Sequence, residues 1–239
     1  MTEKQFIEAL KNLNIVVLEE QLKKLNDYAS FLMEYNKNVN LTRIDSLEQI
    51  YLKHFYDSLT ICEALDFSKV ATMLDIGSGA GFPGMVLAIF FPEIKVTLLD
   101  SNSKKTTFLK LLAQRLQLNN VKVITDRAEQ YCKEYRESFD LVTARAVANL
   151  TVLSELCIPF VKEGSYFISM KGSNSEEIIE AESAIEVLGA KIEEVIDFQL
   201  PNDGGGRNLV KIRKVNKTKS IYPRRYDKII KNPLKKKGI

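Results

Sequence analysis

Met73-Leu74-Asp75-Ile76-Gly77-Ser78-Gly79-Ala80-Gly81-Phe82-Pro83-Gly84 is the stretch on which the fold turns. An apolar run enters an acid, glycines fall at every second position, and a new apolar pattern begins. That order reads as a buried strand, a tight turn and a helix start. Glycine belongs where the backbone needs positive φ or must approach a ligand closely. Dinucleotide turns use G-x-G-x-x-G to seat a pyrophosphate on a helix N-terminus. Here the spacing is G-x-G-x-G, and an acid, Asp75, opens the loop. An acidic glycine turn suits a cationic ligand, and S-adenosyl-L-methionine carries ammonium and sulfonium charges. Asp75, Gly77 and Gly79 are therefore cofactor-binding candidates.

Working outward, Lys95-Val96-Thr97-Leu98-Leu99-Asp100 is a second strand ending in an acid. An acid about 20 residues beyond such a loop reaches a ribose hydroxyl. Asp100 reads either as that ligand or as a cap for a helix starting near Ser103. A third apolar run, Val121 to Thr125, leads into Ala128-Glu129. These two residues read either as an adenine contact or as polar loop filler.

Strands are predicted at 71–76, 95–100, 121–125, 139–145 and 164–170, with a late pair near 190–199 and 208–214. Helices are predicted at 84–91, 103–118, 149–157 and 175–188, and two amphipathic helices before residue 65. Alternation of strand and helix implies a doubly wound parallel sheet with ligands at the carboxyl ends of the strands. The late strands lack an intervening helix and should pair antiparallel. The chain divides into an N-terminal helical extension (1–65), a core (66–215) and a basic tail (216–239).

The overall charge of +3 conceals that tail: from Arg207 to Ile239 there are 13 Lys and Arg against a single acid, Asp227. Such a segment, with Tyr222 and Tyr226 interleaved, either neutralises RNA phosphates or is a solvated terminus. Arg224 and Arg225 are RNA candidates within it. Arg145 and Lys171 follow apolar strands and point to the crevice; Arg145 suits a carboxylate and Lys171 a phosphate. Asp203-Gly204-Gly205-Gly206-Arg207 is either a hairpin turn or a flap carrying Arg207 over the substrate. The only histidine, His54, has Asp57 at i+3 on the same helix side. That pair reads as structural or as catalytic. The three scattered cysteines and the lack of an apolar run of about 20 residues suit a cytoplasmic protein with no metal site. Nothing marks an obligate protein partner.

Taken together, the chain resembles the small-subunit ribosomal RNA methyltransferase G family, also called glucose-inhibited division protein B. The resemblance rests on Asn40-Leu41-Thr42, His54-Phe55-Tyr56-Asp57-Ser58-Leu59, Asp75 to Gly84, Arg127-Ala128-Glu129, Ala144-Arg145-Ala146, Lys171-Gly172, and Tyr222-Pro223-Arg224-Arg225 with Asn232-Pro233-Leu234. It implies a seven-stranded Rossmann-like methyltransferase fold. It also implies transfer of a methyl group from S-adenosyl-L-methionine to N7 of a guanine in the 530 loop of bacterial 16S ribosomal RNA. By the same resemblance Gly77, Phe82, Ala128, Glu129 and Arg145 contact the cofactor. The tail departs from the pattern, with Tyr226-Asp227 where the resemblance places a glycine. No Pro-Cys pair suggests a pyrimidine-C5 nucleophile, and Ala144-Arg145-Ala146-Val147 replaces the Asn/Asp-Pro-Pro-aromatic motif of exocyclic-amine enzymes. A non-catalytic RNA-binding assembly factor and a small-molecule methyltransferase are the rival classes.

Overall fold

A computed structural model describes residues 1–145, 148–172 and 175–234. Ala146, Val147 and the last basic residues of the tail, 235–239, lie outside the described residues.

The strands are β1 (Thr72–Ile76), β2 (Lys95–Asp100), β3 (Val121–Thr125), β4 (Phe139–Arg145), β5 (Val161–Gly172), β6 (Ala190–Leu200) and β7 (Gly205–Lys214). They form one sheet in the order β3-β2-β1-β4-β5-β7-β6. The first five pair in parallel, and β7 runs antiparallel between β5 and β6. Central β1 is buried from Met73 to Ile76, as a parallel strand covered on both faces must be. The strand order reverses between β1 and β4. There adjacent connections leave to opposite faces and open a crevice.

Before the sheet come α1 (Glu3–Lys11), α2 (Glu19–Val39), α3 (Leu47–Ile50) and α4 (Asp57–Leu59); the latter two are joined by a π-helical turn, Tyr51–Tyr56. Around and after the sheet lie α5 (Gly84–Phe90), α6 (Ser103–Arg115), α7 (Ala128–Tyr135), α8 (Leu150–Cys157), α9 (Ser175–Val187) and α10 (Tyr226–Lys231). Helices α1, α7 and α10 were not expected from the sequence. Thr2 and Gln5 close a capping box on α1, which buries Phe6 and Leu10. Helix α7 is short and buries Ala128, Glu129, Tyr131 and Cys132.

The N-terminal helices share their core with the sheet. Phe6, Leu10, Leu25, Tyr28 and Leu32 pack in the same buried cluster as Met85, Leu98 and Phe108. Tyr28 stacks on Phe82, with centroids 5.2 Å apart, and donates its hydroxyl hydrogen to the Ala80 carbonyl. The glycine turn is thus buttressed from behind by the extension.

Residues 216–234 are not a free solvated strand. Ile229 is fully buried, Thr218 Oγ1 donates to the Leu188 carbonyl at 2.6 Å, and Arg136 donates to the Tyr222 carbonyl. Arg224 meets Glu155 of α8 bidentately, Nε–Oε1 at 2.9 Å and Nη2–Oε2 at 2.7 Å. Among the described residues no helix is long and apolar enough to cross a membrane.

Candidate functional site

The turn after β1 is tied to the end of β2. Gly77 and Ser78 N–H donate to the Leu99 carbonyl, at 2.7 and 3.2 Å. Gly79 N–H donates to Asp100 Oδ2 at 3.0 Å, and Asn102 N–H to Asp100 Oδ1 at 2.8 Å. The cap of α6 is Asn102, whose side chain accepts from Lys104 and Lys105 N–H. Asp100 therefore organises the loop and keeps lone pairs toward the cleft beside it.

Gly77, Gly79 and Gly81 all take positive φ, 71°, 58° and 100°. A Cβ at Gly79 would meet nothing nearer than the Gly77 carbonyl oxygen, at 3.7 Å, so this backbone borders open space. Asp75 is fully buried beneath the loop. Its Oδ2 accepts the Gly84 N–H at 3.0 Å, which satisfies an orphan donor at the start of α5. Burial raises the Asp75 carboxyl to about 7, opposed by that hydrogen bond and by the charge of Arg145.

Beside the turn, over the ends of β1, β2 and β3, lies a cleft of about 430 Å³. Gly77, Asp100, Ala128 and Glu129 line it, with Leu99 and Leu156 as apolar walls. Glu129 is only 8% exposed and has no hydrogen-bond partner among the described residues. Its carboxylate lines the cleft, where the donors of a bound ligand would meet it. Apolar walls for a purine, two acids for hydroxyl or amino donors and an unobstructed glycine backbone fit a nucleoside cofactor.

A second cleft, of about 360 Å³, lies over the ends of β4, β5 and β7 and is closed by the helical extension. His54, Asp57, Arg145, Lys171 and Arg207 line it. Register brings them together: Arg145 pairs Met170 on β5, and Gly172 pairs Arg207 on β7. Asp57, 3% exposed, accepts from Arg145 Nη1 at 2.8 Å and from Arg207 Nε at 3.0 Å. One carboxylate thus joins α4, β4 and β7. Arg145 also donates to the Lys53 carbonyl at 2.9 Å.

The expected His54–Asp57 pair does not form. The π turn at 51–56 changes the angular offset between the two residues, so i+3 spacing no longer aligns them. His54 instead stacks on Phe82, with centroids 4.1 Å apart. Its Nδ1 lies 3.2 Å from Arg145 Nη2 and its Nε2 lies 3.0 Å from Thr42 Oγ1. Burial, and then the Arg145 charge, lower its pKa to about 3, although the Lys53 carbonyl opposes this.

The remaining basic candidates are differently placed. Lys171 pairs with Glu177 and donates to the Ala148 carbonyl at 2.8 Å. Arg207 lies near the start of β7, two residues after Gly205, and is anchored by Asp57 close to a plain hairpin turn. Arg224 is committed to Glu155, whereas Arg225 faces solvent beside Asp227. Tyr226 was not expected at a site, yet it lines the first cleft. Phe82 and Arg145 do not line that cleft; Arg145 lines the second one, and its guanidinium carbon lies 5.2 Å from the Phe82 ring centroid.

A profile of the family described as rRNA small subunit methyltransferase G matches residues 21–210. The chain belongs to that family. Curated relatives called ribosomal RNA small subunit methyltransferase G agree in length as well as sequence. One from Staphylococcus aureus is 46% identical over 239 residues, covering 99% of this chain and all of its own. Another, from Oceanobacillus iheyensis, is 45% identical over 237 residues, covering 98% and 100%. Among solved structures, the mitomycin 7-O-methyltransferase MmcR superposes with a TM-score of 0.55 at 15% identity, over 77% of this chain and 60% of that one. A 16S rRNA (adenine(1408)-N(1))-methyltransferase from Catenulisporales acidiphilia gives 0.54 at 14% identity, over 62% and 86%. These structural likenesses establish the Rossmann-like methyltransferase fold. Membership in the methyltransferase G family makes the chain a methyltransferase of small-subunit ribosomal RNA.

Proposed function

We propose that the chain uses S-adenosyl-L-methionine to methylate N7 of a guanine in the 530 loop of bacterial 16S ribosomal RNA, in the cytoplasm. The observation that carries this reading is a pair of clefts on either side of the reversal of strand order, one lined from the end of β1 and the other from the end of β4. One is acid-lined and nucleoside-shaped, the other arginine-lined. Solved methyltransferases of similar fold were crystallised with this cofactor, among them one acting on 16S rRNA. The extension (1–65) serves as the outer wall of the second cleft, the core (66–215) carries the cofactor, and the basic tail (216–239) meets RNA.

Asp100 and Glu129 would hold ribose and adenine donors, with Ala128 against the base and Gly77 and Gly79 against the chain of the ligand. Asp75 acts from beneath by fixing the loop. Arg145 makes its hydrogen bonds through Nη1 and Nη2 and none through Nε among the described residues, so Nε–H is the donor it would offer the carboxylate of the ligand. When bound, S-adenosyl-L-methionine supplies an electrophilic methyl group on a sulfonium. Guanine N7 carries a free lone pair, so the acceptor loses no proton and the chain needs no general base. Its residues position and align instead. Lys171 and Arg207 border the guanine, while exposed Arg225, Lys228 and Lys231 offer phosphate contacts; Arg224 supports them from its ion pair.

The cofactor placement is tested at Gly79. Its φ of 58° lies in the left-handed region, where a leucine costs about 1–2 kcal/mol, and no atom obstructs the new Cβ. Gly79→Leu is expected to fold and to lose cofactor affinity by about tenfold or more, because the side chain occupies the space of close approach. Calorimetry on a folded Gly79→Leu that binds like wild type would remove the ligand from this loop.

His54 tests the mechanism. With a native pKa of about 3 it stays neutral at physiological pH, so His54→Asn should retain turnover within about tenfold. A general base contributes roughly 10²–10⁴-fold. The unfolded imidazole protonates near about 6.5, so the native state is penalised as pH falls from that value toward 3. Asp75 has the opposite sign: its carboxyl is raised to about 7, so the native state is penalised as pH rises from about 4 toward 7. His54→Asn deletes only the first slope. The stability gap between wild type and variant should narrow as pH falls from about 7 to about 4 in denaturant titrations. A constant gap contradicts the buried neutral imidazole.

A further inference from the structure

The C-terminal tail returns to the core along a fixed path. Arg224 clamps Glu155, an acid on α8 that is wholly buried. The next residue of α8, Leu156, is a wall of the first cleft. Two residues beyond Arg224, Tyr226 opens α10, and Ile229 is sealed into the core one turn later. The clamp and the buried isoleucine together set Tyr226 at the cleft that Ala128 and Glu129 also line. Tyr226 is still 38% exposed, and the Arg127 guanidinium carbon lies 5.7 Å from its ring centroid. A half-exposed aromatic ring, fixed by its neighbours at the mouth of a cleft that contains an unpartnered carboxylate, is a stacking surface for a planar base.

We infer that Tyr226 stacks on the adenine of the bound cofactor and closes the nucleoside end of the cleft. This rests on the reading of that cleft as the S-adenosyl-L-methionine site. The basic tail then has a part in cofactor binding as well as any part in RNA binding. A truncation before Asn216 is expected to weaken both.

The full-length chain contains no tryptophan. Tyr226→Trp therefore introduces one reporter at the proposed contact. S-adenosylhomocysteine and 5′-methylthioadenosine, which share adenine but not the amino-acid end, should both quench its fluorescence saturably. By calorimetry, Tyr226→Phe should bind both ligands within about twofold of wild type. Tyr226→Leu, which keeps apolar bulk but loses the ring face, should lose about tenfold for both. Circular dichroism melts check that each variant is folded, which the exposure of the ring favours. Wild-type affinity in Tyr226→Leu, or Tyr226→Trp fluorescence indifferent to bound ligand, overturns the assignment while the cofactor site stands. Binding by wild type that Gly79→Leu does not weaken overturns the cleft reading, and the Tyr226 contact falls with it.

Discussion

Replacing Arg224 with methionine is expected to destabilise the fold by about 3–5 kcal/mol, because it strands the buried Glu155 carboxylate without a countercharge. The Glu155 side chain is 1% exposed and that of Arg224 25%, so solvent screening is small. Arg224 also donates its backbone N–H to Glu155 Oε1 at 2.8 Å, which means the whole turn is set by this acid. Changing both partners, Glu155→Met with Arg224→Met, should recover most of the loss, since a buried pair replaced by apolar side chains is often near neutral. Urea midpoints of the single and double variants against wild type check the expectation. A single Arg224→Met variant as stable as wild type would mean that the tail detaches freely in solution.

Asp57→Ala should have a loss of similar size and a larger functional effect. Two arginines, Arg145 and Arg207, converge on that carboxylate, and its removal leaves like charges facing each other in a partly buried cleft. About 3–5 kcal/mol of stability is at stake. The three elements it joins carry the cleft wall, so a displacement of about 1 Å there lowers single-turnover methylation on the order of 100-fold. Asp57→Asn, which keeps the shape and part of the hydrogen bonding, should fall between. Unaltered turnover in a folded Asp57→Ala would separate the arginine cluster from the chemistry.

The centre of the sheet was legible because β1, β2 and β4 are buried on both faces and are rich in apolar residues. Met73-Leu74-Asp75-Ile76 and Lys95 to Asp100 end where the structure ends them. Residues drawn to the carboxyl ends of those strands followed from topology alone. The Thr2-x-x-Gln5 signature of α1 was present in the sequence, but α1 is short and its apolar positions are few. Helix α7 is barely two turns long, too short for periodicity to stand out. The His54–Asp57 expectation failed because a π turn has no period visible in sequence. Arg224 and Glu155 are 69 positions apart, and only the oddity of a lone acid in the apolar octet Leu150–Cys157 hinted at a buried partner. For the same reason Tyr226, brought to the cleft by that pair, was read as a tail residue.

The central claim is the position of the methyl group. Small ribosomal subunits from a strain lacking the gene would be incubated with the full-length chain and S-adenosyl-L-methionine labelled in its methyl group, and the modified nucleoside would be identified and mapped. The expected result is 7-methylguanosine at one guanine of the 530 loop of 16S ribosomal RNA. Label on another base, label elsewhere in the RNA, or no transfer by an enzyme that binds the cofactor would contradict it.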